Sequence, residues 1–102
     1  MSEQPWPFPD PQNAAALTLR DVMEGRSSIL LVTHDADDGC WQFHDGRENP
    51  TLGEAVIAAL GEVYSVDPTI AALADLPRGW RAWREAPDQP WQREQMAPEE
   101  DE

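Results

Sequence analysis

The chain has 102 residues, enough for one domain with one modest core. Its 20 acidic and 7 basic residues give a formal net charge of −13, and every basic residue is arginine. Such a surface repels nucleic acid and anionic lipid and attracts basic protein, and the lack of lysine excludes Schiff-base chemistry on a side-chain amine.

The first twelve residues alternate proline with Trp6, Phe8 and Asp10, which predicts an extended arm whose aromatics pack on the body of the domain. The body is expected over residues 13–94. Ala14 to Leu19 reads as a strand leading into a short helix, Arg20 to Glu24, that Gly25 stops. The stretch from Ser27 to Gly46 then reads as a β-hairpin. Ile29–Val32 is an apolar run suited to a central strand covered on both faces, Ala36-Asp37-Asp38-Gly39 is the turn, and Cys40 to His44 alternates with Trp41 and Phe43 inward.

A capping box at Thr51-Leu52-Gly53-Glu54, followed by Leu52, Val56, Ala59, Leu60 and Val63 at spacings of three and four, predicts a helix from Thr51. Asp67-Pro68 opens a second helix whose buried side is Ile70, Leu73 and Leu76. Arg78 to Glu85 is read as a strand, with Trp80 and Trp83 on opposite faces, and Pro90 to Arg93 as a further edge segment. Residues 95–102 form an acidic tail expected to be disordered. The fold class is therefore α+β: a small antiparallel sheet of about four strands with two helices packed on one face.

The longest apolar runs, Ile29–Val32 and Ala55–Leu60, are far shorter than the ~18 residues of a membrane span. Glu3 and several prolines stand where a secretory leader carries basic and apolar residues. The single Cys40 cannot close an internal disulfide. A soluble cytoplasmic protein, a monomer or weak dimer, is expected.

Chemistry-bearing residues concentrate in the hairpin, which holds His34, His44, Cys40 and Asp35, Asp37 and Asp38. No zinc-type spacing is present, and a calcium loop opened at Asp35 would need Gly and Glu where Cys40 and Gly46 stand. A two-residue turn would set His34 across from Phe43 and His44 across from Thr33, leaving the two histidines on opposite faces. Cys40 and His44 would lie roughly 13 Å apart on one strand face, too far for proton transfer. No catalytic, metal-ligating or cofactor-binding residue is expected, and a small metal-binding or hydrolytic protein built on the His34–His44 hairpin is the alternative reading. The last quarter gathers Trp80, Trp83 and Trp91 with Arg78, Arg81, Arg84 and Arg93, residue types enriched at binding hot spots and equally suited to completing a core.

Residues Val22-Met23-Glu24-Gly25, Asp38-Gly39-Cys40-Trp41-Gln42-Phe43, Val66-Asp67-Pro68-Thr69-Ile70 and Leu76-Pro77-Arg78-Gly79-Trp80 resemble a small bacterial domain-of-unknown-function family grouped with immunity-protein-like domains of polymorphic toxin systems. The resemblance runs from Ala14 to Trp91 and departs in a shorter segment between hairpin and helix and in the Pro/Trp-rich arm. It implies the strand, helix and hairpin order above and no catalytic residue. The expectation is a non-catalytic acidic module that binds a basic partner protein, such as a toxin domain, through Asp35, Asp37, Asp38, Glu54 and Glu62 and the anchors Trp83 and Trp91. The remaining alternative is an accessory domain that acts only within a larger assembly.

Overall fold

A computed structural model describes residues 6–45 and 55–96. Among the described residues six strands form one mixed sheet: β1 (Ala15–Leu19), β2 (Leu31–His34), β3 (Trp41–His44), β4 (Ala55–Ala59), β5 (Trp80–Trp83) and β6 (Gln92–Gln95), in the spatial order β4-β1-β3-β2-β5-β6. Three short helices accompany them: α1 (Arg20–Met23), α2 (Leu60–Val66) and a 3₁₀ helix (Pro68–Leu73). The fold is α+β, with a larger sheet than the expected four strands. It is also not wholly antiparallel, because β1 runs parallel to β3. Among the described residues no helix is long and apolar enough to cross a membrane.

The hairpin forms with a register different from the simplest one. Val32 pairs with Phe43 and His34 with Trp41, so the connection is six residues long and not a two-residue turn. Asp35 organises it: its carboxylate accepts from the Asp37 amide at 2.9 Å and its carbonyl from the Gly39 amide at 3.1 Å. Gly39 has φ 71°, a conformation in which a β-carbon is penalised. The shift changes the pairing by two residues, so side-chain parity is unaltered and His34 and His44 still face opposite sides.

One face of the sheet builds the core. Val32, Trp41, Phe43, Ala16 and Ala82 lie there, fully buried beneath Val22 of α1, Leu60 and Val63 of α2, and Ile70, Leu73 and Leu76. The N-terminal arm adds a further layer. Phe8 is buried with its ring edge-on to Trp41 at 5.3 Å, and Trp6 sits between Phe8 and Tyr64. Contrary to expectation, β2 is covered on one face only, and Leu31 and Thr33 stay half-exposed on the other.

The helix expected from Thr51 is the main departure. Residues 51–54, with the capping box, lie outside the described residues. Ala55–Ala59 pairs along its whole length with β1, from Leu19↔Ala55 to Ala15↔Ala59, and the helix begins only at Leu60. Five residues of ladder, two of them the β-branched Val56 and Ile57, outweigh the modest helix preference of alanine. The later part of the predicted stripe, Leu60 and Val63, is still the buried side of α2. The Asp67-Pro68 signal holds as read: the Asp67 carboxylate accepts from the Thr69 amide at 3.1 Å, and Ile70, Leu73 and Leu76 are buried. The second helix is 3₁₀ in form.

Trp41 sits between Phe8, His34 and Phe43 at 1% exposure. Trp41→Ala is expected to cost about 3–5 kcal/mol in denaturant titration, whereas Asp37→Ala, an exposed turn position, should stay within about 0.5 kcal/mol.

Candidate functional site

Residues paired across neighbouring strands share a face, so the ladder defines the uncovered side of the sheet. Ile57, Leu17, Gln42, Thr33, Arg81 and Glu94 form one row across all six strands, and His44, Leu31, Trp83 and Gln92 form part of the next. Trp83 is half-buried on this face, with the Arg81 guanidinium 5.5 Å from its ring centroid. Arg81 is itself held by the Glu94 carboxylate across the strand pair. Beside Trp83 a shallow cleft of about 400 Å³ is lined by Arg84, Glu85, Gln89, Pro90 and Gln92. An aromatic platform, amide groups and a carboxylate in an open cleft suit recognition of another surface.

The expected partner-binding residues do not form one patch. Asp37 and Asp38 are exposed and Asp35 half-buried in the β2–β3 turn. Asp38 accepts from the Cys40 amide at 2.9 Å, and Gly39 lies against the Arg78 guanidinium. Glu62, in the first turn of α2, accepts from the Ala59 amide at 3.3 Å. Glu54 lies outside the described residues. The register sets the acidic turn beside the His34↔Trp80 end of β2 and Trp83 at the Leu31 end, about 10 Å away along the strand.

Trp91 is committed elsewhere. It packs against the core with the Arg84 guanidinium 4.2 Å from its ring centroid. Arg84 is buried and reaches four acceptors: Nε donates to the Ile29 carbonyl at 3.0 Å, Nη1 to Thr69 Oγ1 and the Pro87 carbonyl at 3.1 Å each, and Nη2 to Asp67 Oδ2 at 2.9 Å. The Arg and Trp cluster thus divides: Arg84 and Trp91 hold the fold together, Trp80 packs on the core, and Trp83 remains on the open face. Alternation along β5 separates Trp80 from Trp83 in the sequence, but nothing local to Arg84 signals partners 15 to 55 residues away.

The hairpin chemistry is dispersed. The His34 ring is stacked on Trp41, with centroids 3.8 Å apart, and its Nδ1 donates to the Leu76 carbonyl at 2.8 Å. His44 is on the other face, 3.1 Å from Gln42 Oε1. Burial, reinforced by the Asp38 and Asp35 carboxylates, pushes the Cys40 thiol up, away from the reactive thiolate. Among the described residues no group of three His, Cys, Asp or Glu is placed to hold a metal ion. Comparison with known protein families, with curated proteins and with solved structures finds no match to this chain.

Two expectations follow. Arg84→Met leaves the Asp67 carboxylate with only its Thr69 hydrogen bonds, takes the donor from three further acceptors, and should cost about 3 kcal/mol by denaturant titration, the low end for breaking a buried pair because Asp67 keeps Thr69 and some solvent. Burial lowers the His44 pKa, partly opposed by Asp45. The unfolded chain therefore takes up a proton near the ordinary value of about 6.5 while folded His44 still resists it. Stability is complete above that value and falls as the pH drops through it, a loss that His44→Asn should reduce in denaturant midpoints measured across the window.

Proposed function

We propose that this chain is a non-catalytic, acidic protein-binding module that meets a basic partner, and that a toxin domain of a polymorphic toxin system is the class of partner its family resemblance suggests. The reading rests on one observation above the others. Arg26, Arg81, Arg84 and Arg93 each pair with a carboxylate of the chain itself, respectively Asp21, Glu94, Asp67 and Asp75. Much of the small positive complement is thus spent internally, and a chain of net charge −13 presents the exposed acids of the β2–β3 turn to an approaching cation. Trp83 and its cleft supply the anchor, an amphipathic ring beside the Arg81–Glu94 pair. The acids speed encounter and the aromatic slows release.

The test is recovery of partners from the native organism, followed by quantified binding of the main one. Association should slow as salt rises, because the screening length falls from about 10 Å at 0.1 M to about 3 Å at 1 M. Trp83→Ala should weaken binding by about 2 kcal/mol, roughly thirtyfold, as a hot-spot truncation does. An acidic partner, a nucleic acid, or binding indifferent to both salt and Trp83→Ala sinks the proposal.

A further inference from the structure

The two edges of the sheet are built differently. β6 carries Gln92, Arg93, Glu94 and Gln95, and charged side chains of this kind discourage edge-to-edge pairing. β4 at the opposite edge is Ala55-Val56-Ile57-Ala58-Ala59, without a charge, in a chain where 26% of residues are charged. Its central side chain, Ile57, is 68% exposed on the uncovered face.

The hydrogen-bond phase shows what this edge offers. The Leu60 amide donates to the Ala14 carbonyl at 2.8 Å, so Leu60, Ala58 and Val56 turn their backbone groups toward β1. Ala59, Ile57 and Ala55 turn theirs outward. Consistent with that phase, the Ala59 amide goes to the Glu62 carboxylate and not to β1. Among the described residues no strand lies beyond β4.

We propose that β4 is a self-association edge, at which a second copy of this chain pairs antiparallel about a two-fold axis through Ile57. The outward groups are their own complement: Ile57 meets Ile57 of the second copy in a hydrogen-bonded pair, and Ala55 meets Ala59 on either side. Glu62 gives up the Ala59 amide to the second copy's Ala55 carbonyl. On the open face, Ile57 is already flanked by half-buried Leu17. Pairing therefore makes a continuous apolar strip of Leu17, Ile57, Ile57 and Leu17 across the joint, and the small Ala55 and Ala59 leave its margins free of clashes. A basic peptide is a poorer occupant, since no residue of β4 carries a carboxylate to meet its charges. The proposal is independent of the reading above: the basic partner is drawn by acids, whereas the second copy is repelled by them at long range. Self-association should accordingly strengthen as salt rises, the opposite sign to partner binding.

The experiment uses the purified full chain alone. Sedimentation equilibrium should show average mass moving from one chain toward two as concentration and salt increase, and Ile57→Asp, which brings like charges together on the axis, should return it to one. Because that variant also removes a β-branched residue from β4, a second readout is a Cys40→Ser chain carrying Ile57→Cys. A hydrogen-bonded antiparallel pair sets α-carbons about 5.5 Å apart, inside the disulfide range of roughly 4.4–6.8 Å. Oxidation should then form a disulfide-linked dimer at least tenfold faster than in the matching Gln95→Cys chain at the charged edge. A single-chain mass at every salt concentration, an association untouched by Ile57→Asp, or equal cross-linking at the two edges overturns the proposal.

Discussion

The guanidinium of Arg84 ties together several separate parts of the chain. It joins the Asp67 cap of the 3₁₀ helix, the backbone entering β2 at Ile29, the turn at Pro87 and the ring of Trp91. A buried ion pair of this kind adds little net stability over well-packed apolar residues, because desolvation offsets most of the attraction. Its effect is geometric. Planar, fixed donors admit few alternative arrangements, so the helical layer is held over the inner face at one angle. The Glu85–Pro90 wall of the Trp83 cleft is fixed by the same contact, which links the core to the surface proposed for recognition.

The sheet separates two kinds of work. Its inner face carries a run of aromatic contacts from Tyr64 through Trp6, Phe8 and Trp41 to Phe43. The proline-rich arm supplies two of those rings, so it closes the core. Among the described residues the outer face has no such cover, and its middle row is dominated by Gln42, Thr33 and the Arg81–Glu94 pair. Acids cluster at one end of this arrangement and Trp83 lies at the other. The two lie about 10 Å apart along β2.

What could be read from the chain alone was local chemistry. The Gly25 stop, the Asp67-Pro68 start, the alternation in Trp41–His44 and the opposite facing of Trp80 and Trp83 all depend on residues within a few positions of one another, and each is present in the structure. The β2–β3 register stays open in the sequence because Asp35 and Gly39 build a longer connection from residues that equally suit a tight turn. β4 was missed because alanine-rich sequence fits a helical stripe as well as a strand, and the deciding contact is β1, some forty residues earlier. The candidate site was only partly legible. Trp83 could be assigned to the outer face by parity, while Trp91 could not be told from it without Arg84, whose partners are dispersed along the chain.

The position of β1 has a consequence for the order in which the molecule assembles. It precedes the other described strands in the chain, yet it lies inside the sheet between β3 and β4, whose residues come some twenty-five and forty positions later. On a growing chain its Ala15–Leu19 backbone has no ladder partner until β3 is synthesised, while β2 and β3 need close only a short loop. The hairpin is therefore the natural nucleus, and β1 joins it by a slower parallel docking before β4 closes over β1. Strand β1 waits for its place, and loss of the β2–β3 turn would delay assembly of a sheet half to which that turn makes no direct contribution.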